Sequence, residues 1–309
     1  MRLARRLSLL LALFACLAVT AAEAAGSVAL VLSEPSQAYQ EFAEALRAEL
    51  RRDAGLDVQV YDGEQLGNKP LPEVQLVIAV GSRAAQQMAA RDVRTPLLLS
   101  LLPKTSFDRI IGARPAADTR RISAVFVDQP PARYVDLLRV AIPDQEKVGL
   151  LAGRDSRDSV TRLVQVARER KLKAQQENVN TEFDIVPALQ RMFTDSGVLL
   201  ATPDGSVFNS STIPNILLSA YRMRVAVVGF SQSYVKAGAM LALYSTPAQL
   251  GTQSGEIARS VLSGGALPAP QYPRHFLVGV NAHVARSLGY QLDSEANIKE
   301  KLERLERTP

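Results

Sequence analysis

Short runs of apolar, β-branched residues alternate with amphipathic stretches along most of the chain, the pattern of parallel βαβ units. Residues 27–32 predict a first strand, and residues 37–52 a helix with Phe42, Ala45, Leu46 and Leu50 on one face. A second strand is expected at 58–61. The run 76–80 is uninterrupted apolar, so it predicts a strand covered on both faces, with Gly81-Ser82 as the turn into a helix over 83–90. Further strands are expected at 97–101 and 122–127. The latter leads into Pro130-Pro131, where a fixed φ and a missing donor favour a helix start.

A second series of the same kind follows: helix 132–141, strand 147–152, helix 159–170, a variable patch at 174–180, helix 184–193, strand 197–202, helix 213–222 and strand 225–230. Two series of similar size argue for two lobes. Beyond Phe230 the pattern changes to a helical turn and strand over 234–244, then a long helix over 248–262 stopped by Gly264-Gly265. A connector with Pro268, Pro270 and Pro273 leads to strand 276–280, a helix over 282–288 ending at Gly289, and an amphipathic helix over 297–307.

The N-terminus stands apart from this pattern. Arg2, Arg5 and Arg6 precede an uncharged apolar stretch over 7–21 and the small-residue pattern Ala22-Glu23-Ala24, which predicts a secretory signal peptide over 1–24. The stretch is shorter than the roughly 20 apolar residues that span a bilayer. Leu13-Phe14-Ala15-Cys16 also loosely resembles a lipobox, with Cys16 as the acylated residue, but cleavage after Ala24 accounts for the whole segment. Export to the periplasm as a soluble protein is the expectation. Cys16 is the only cysteine, so the processed chain carries no disulfide and no thiol nucleophile.

Charge changes the picture little. The formal +5 falls to +3 when the leader's three arginines and Glu23 are removed, and the rest lies scattered among acids, as in Glu300-Lys301-Leu302-Glu303-Arg304. This is a solvated surface, and no nucleic-acid partner is expected. No catalytic residue is expected either. The two histidines, His275 and His283, lie on a connector and a helix, and Gly229-Phe230-Ser231-Gln232-Ser233 lacks the closing glycine of a nucleophile elbow. No dinucleotide or phosphate-loop fingerprint occurs, and no His/Asp/Glu group has metal-ligand spacing, so no cofactor or metal is expected.

What remains is a set of polar residues at the carboxyl ends of the expected strands, where open α/β sheets bind ligands. They are Ser33, Glu34, Gly81, Ser82 and Ser100 in the first series, and Asp155, Ser156, Asp204, Ser231 and Gln232 in the second. Gly81-Ser82 opens a helix whose free N–H groups suit a carboxylate. Each serine or aspartate has a plainer reading as a helix cap.

From Leu199 onward the chain carries LLATPDGSVFNSS, the Val235–Ala239 run, the Leu250-Gly251 helix start, and Asn281, Ala285 and Leu288-Gly289. In these it resembles the ABC-transporter substrate-binding proteins of the periplasmic binding protein type 1 fold, some of which bind aromatic amino acids. The resemblance extends upstream through LVIAVGSRAAQQMAA and ISAVFVDQPPARYVDLLRVAIPDQEKVGLL, and so covers nearly the whole processed chain. Leu102-Pro103-Lys104 stands where the family usually has Thr-Asp-Pro, and Asp155-Ser156 where it often has asparagine and serine.

The resemblance implies two α/β lobes, each a mostly parallel sheet flanked by helices, joined by three hinge crossovers near 126–130, 231–234 and 271–274. The lobes would hold 25–127 plus 232–272, and 128–231 plus 273–309. It also implies a monomer that closes over a small molecule and presents it to a membrane permease served by a separate ATPase. For an amino-acid-like ligand, Ser82 would take the carboxylate, Asp204 the ammonium, and Phe230 or Tyr244 would pack the side chain. The alternative is a protein of the same fold that binds a partner protein or senses a signal without transport.

Overall fold

The computed structural model describes residues 26–52, 56–91, 94–115, 119–193 and 197–307. The expected leader, with Cys16, lies outside them.

Strands β1 (Ser27–Leu32), β2 (Asp57–Asp62), β3 (Leu76–Val80), β4 (Leu97–Leu102) and β5 (Ile122–Phe126) form a parallel sheet in the order β2-β1-β3-β4-β5. Every residue of β3 and β5 is buried, as continuous apolar runs require when helices cover both faces. Helix α1 (Gln37–Leu50) covers one face, followed by the single turn α2 (Gly63–Leu66), while α3 (Ser82–Ala89) and α4 (Lys104–Gly112) cover the other.

The second sheet repeats the scheme. Around it lie α5 (Pro131–Ala141), β6 (Lys147–Ala152), α6 (Arg157–Glu169), β7 (Lys173–Asn178), α7 (Ile185–Phe193), β8 (Val198–Leu200), α8 (Ile213–Arg222), β9 (Ala226–Gly229), α9 (Gln232–Ala237) and β10 (Leu241–Tyr244). The chain then enters α10 (Pro247–Leu262) and returns as β11 (Leu277–Val280), α11 (Ala282–Leu288) and α12 (Glu295–Arg307). The sheet order is β11-β10-β9-β8-β6-β7, parallel except for β11 against β10. Read from β6, the parallel strands follow the order of the first sheet, so each lobe has a topological switch point: β1/β3 in one, β6/β8 in the other.

The second crossover differs from expectation. Residues 232–244 were assigned to the first lobe, yet β10 pairs with β9 (Leu241↔Val228) and with β11, and Leu241 and Leu243 are wholly buried in the second lobe's core. The chain leaves only where apolar residues give way to Ser245-Thr246-Pro247. There Thr246 and Gln249 form a capping box and Pro247 opens α10. From that point α10 packs against α1 across the first sheet. Their close approach needs Gly251, where a Cβ would lie 2.3 Å from the Phe42 carbonyl oxygen, and Gly255, where it would lie 2.7 Å from Glu49 Cβ.

Candidate functional site

The lobes meet at the carboxyl ends of their strands around a partly open cavity of about 40 Å³. That holds a few waters, since one water needs roughly 10–15 Å³ by the same measure. On the first-lobe side the wall is Lys104 and Thr105 at the start of α4, and on the second-lobe side it includes Thr202, just past β8, and Arg162 of α6. Two crossovers supply the remainder, through Asp128 and Gln129 in one and Tyr272 in the other, with Tyr134 of α5 behind them.

The backbone that brings Lys104 to the wall is strained. Leu101 has φ +55°, rare for a residue with a side chain, and the β4/β5 register shifts between Ser100 and Leu102. Helix α4 then starts at Pro103 without a side-chain cap of its own. Its first N–H, on Lys104, donates instead to Asp128 Oδ2 at 2.7 Å, so a crossover carboxyl caps a first-lobe helix. A helix N-terminus favours the charged form, but burial wins and pushes the Asp128 carboxyl up to about 6. Beneath lie the rings of Phe107, Phe126 and Tyr272, with edge-to-face centroid distances of 5.4 and 5.5 Å.

Two residues of the wall carry buried hydroxyls without a partner. Tyr134 is 2% exposed and Thr202 Oγ1 is buried, and neither makes a hydrogen bond of ordinary geometry. The Gln129 backbone lies near the Tyr134 hydroxyl without completing one, and burial holds that phenol far above its usual range. A buried, unpaired hydroxyl costs roughly 1–3 kcal/mol; Ser123 and Tyr234 carry buried hydroxyls of the same kind away from the cavity.

Of the residues singled out from sequence, Ser156 alone reaches this wall. Its hydroxyl donates to Asp204 Oδ2 at 2.5 Å and accepts from Gly153 N at 3.0 Å. Asp204 is 6% exposed and already satisfied: Oδ2 takes Ser156 and Gly153, and Oδ1 takes the Ser206 N–H at 2.9 Å and hydroxyl at 2.6 Å. This places Asp204 as a staple of the second lobe's switch point, with no oxygen left over for a ligand ammonium.

At the first lobe's switch point, Ser33 Oγ donates to Val80 O at 2.8 Å and accepts from Ala84 N at 2.9 Å, capping α3. Gly81 sits beneath Tyr39 at φ +86°, where a Cβ would come 2.4 Å from the Tyr39 hydroxyl. Ser82 pairs with Ser106 at 3.3 Å. Ser100 faces away from the cavity, onto Ser254 of α10 at 2.9 Å. Phe230 packs on Tyr234 at 4.6 Å and on Phe208, Ser231 begins α9, and Tyr244 lies beside Gly279 in the second sheet.

Asp155 lies outside the cavity but bridges the lobes, accepting from Arg109 of α4 at 2.8 Å, and Arg162 approaches Asp108 at 4.0 Å. Both members of the Arg109–Asp155 pair are about half exposed, so the latch is worth less than about 1 kcal/mol and is screened by salt. Asp155→Asn should shift the lobes toward a more open average at low ionic strength, with the difference from wild type vanishing near 1 M salt. Small-angle scattering of the two proteins against salt concentration checks this.

Residues 69–294 match the profile of the ABC transporter substrate binding protein family. Among solved structures, an ABC domain from Streptococcus pneumoniae in complex with L-Trp shares 15% identity at a TM-score of 0.64, covering 89% of this chain and 98% of that one. The ligand-free, open structure of a substrate-binding protein with adhesive properties from Clostridium difficile gives 16%, 0.68, 88% and 97% in the same terms. A conserved domain protein from Vibrio cholerae gives 16%, 0.64, 90% and 98%. A search of curated proteins finds no match. With a profile match over most of its length, on two lobes that close around a cavity, this chain belongs to the ABC transporter substrate-binding protein family.

Proposed function

We propose that the protein is exported and serves as the solute-binding component of an ABC importer, capturing a small molecule between its lobes and presenting it to a membrane permease. The observation that carries this reading is a cavity walled by both lobes and two crossovers, with Asp128, Gln129 and Arg162 among its lining residues. No helix among the described residues is long and apolar enough to cross a membrane, in keeping with a partner that supplies the channel.

The wall suits a polar solute such as an amino acid or a related compound. Asp128 lines it with a carboxyl, Gln129 and Ser159 offer donors or acceptors, Arg162 brings a cation, and Tyr272, Val160 and Leu163 give apolar surface. The cavity, partly open to solvent, is smaller than such a solute, so its capture involves the lobes separating and the Arg109–Asp155 pair breaking. The chemistry on the wall is binding chemistry. His275 and His283 are both exposed and do not line the cavity, and Ser231, just before α9, does not line it either.

A thermal-shift screen of the exported protein against amino acids, nucleosides, sugars and small carboxylates tests the reading, with Tyr134→Phe and Thr202→Val beside wild type. A true solute should raise the melting temperature of wild type, and each variant should lose roughly 1 kcal/mol of binding, about fivefold in affinity. A solute bound equally by wild type and both variants would place the site elsewhere. No shift from any compound, with the protein shown to be folded, would favour the partner-binding alternative.

A further inference from the structure

We propose that the C-terminal helix α12 braces the hinge, with Glu306 acting through Arg133 and Gln129 as positioning residues that set the resting separation of the lobes. The network is continuous. Arg133, on α5 and 5% exposed, pairs with the Glu306 carboxylate through Nε, and through Nη2 at 3.1 Å. Its Nη1 donates to Gln129 Oε1 at 2.6 Å in the first crossover and to the Pro273 carbonyl at 3.0 Å in the third. Gln129 Nε2 then donates to Ser245 Oγ at 2.9 Å in the second crossover, and Ser245 donates to the His275 carbonyl at 2.6 Å, back in the third. One buried guanidinium therefore ties all three crossovers to one another and to the last helix.

The geometry specifies arginine. Its planar fork serves a bidentate carboxylate, an amide and a carbonyl together, and its face lies 4.3 Å from the Phe276 ring centroid. Gln129 is 2% exposed and lines the cavity, so the network begins at the cavity wall and ends on the surface of α12, where the Glu306 side chain is about one-third exposed. On the first-lobe side Gln253 fixes the third crossover independently, holding Gln271, the Tyr272 carbonyl and the Arg274 N–H. In the third crossover the two anchors interleave, Gln253 on residues 271, 272 and 274 and the Arg133 network on Pro273 and His275, and the anchor that reaches the surface is the one at Glu306.

Cys16, in the expected leader, is the only cysteine, so in the chain from residue 25 onward spin labels at Glu44→Cys on α1 and Gln165→Cys on α6, both exposed, report the inter-lobe distance without any solute. Glu306→Gln, which keeps the shape but removes the charge, and Arg133→Met should each broaden the distance distribution and move its mean by more than about 2 Å. Glu303→Gln is the control, because Glu303 pairs with Lys299 on the same helix and does not reach Arg133. It should leave the distribution as in wild type. Variants that melt lower but keep the wild-type distribution would overturn the proposal, as would an equal shift from Glu303→Gln. Because no ligand enters the measurement, its outcome is independent of whether a solute is ever found.

Discussion

Asp204→Ala should lower the stability of the protein by roughly 3 kcal/mol, the largest effect expected of any single replacement around the cavity, and leave solute affinity per folded molecule nearly unchanged. The carboxylate accepts from Gly153 N, Ser156 Oγ, Ser206 N and Ser206 Oγ in a site that is almost closed to water. Hydrogen bonds to a charged acceptor contribute about 1.5–3 kcal/mol each, but the Ser206 end is exposed and can recover its bonds from water. The Gly153 N–H keeps Ser156 Oγ as an acceptor, but the buried Ser156 hydroxyl proton loses its only one, and its desolvation together with the lost charge-assisted bonds dominates the loss. At this chain size the melting temperature should fall by roughly 6–12 °C. Asp204→Asn keeps an acceptor and should lose less. Chemical and thermal denaturation of the three proteins, alongside titration with whichever solute the screen identifies, checks both halves. Wild-type stability with binding lost more than about tenfold, or 1.4 kcal/mol, would return Asp204 to the ligand.

This result bears on how much of the molecule can be read from its sequence. Most strands and helices were legible because each lobe buries both faces of a parallel sheet, and a doubly covered strand must be a continuous apolar run, as in residues 76–80. The exceptions have local causes. β7, KAQQEN, is an edge strand with Ala174 alone fully buried, so it carries no alternation to detect. Helix α4 begins directly after Pro103 and is capped by Asp128, which is distant in sequence, so no local capping signal announces it.

The site was less legible than the fold for a related reason. Polar residues at strand ends are the right places to look, but a side chain's role depends on what faces it. Asp204 and Ser156 were found and proved to be bonded to each other. Asp128 sits inside the Phe126–Pro130 crossover that the sequence did mark, yet nothing local distinguishes it from a loop aspartate. Tyr134 lies among the buried residues of an amphipathic helix, where a hydroxyl without a partner cannot be recognised before the packing is known.

Asp128 carries the second large effect, and its sign is opposite to that of most folded carboxylates. Burial raises its carboxyl from 3.8 to about 6, outweighing the Lys104 N–H and the Lys104 charge, with Asp108 adding a small push in the same direction as burial. A raised acid binds its proton more tightly in the folded protein. Its contribution to stability is therefore full below pH 3.8 and is lost as the pH climbs through about 6. The side chain keeps a partial opening to solvent, so the loss is about 2 kcal/mol rather than the full value of the shift. Asp128→Asn still accepts from Lys104, cannot ionise, and should be more stable than wild type by about that amount at pH 7, with no step between pH 4 and 6. Solute binding should run the other way. A ligand ammonium at this carboxyl requires the ionised form, so wild-type affinity should strengthen from pH 5 to pH 7 while that of Asp128→Asn stays low and flat. Denaturation and binding measured on both proteins across that range decide the matter. Parallel stability profiles would show that burial does not control this carboxyl, and affinity that weakens toward pH 7 would mean the solute accepts a hydrogen bond from the protonated acid rather than pairing with the anion.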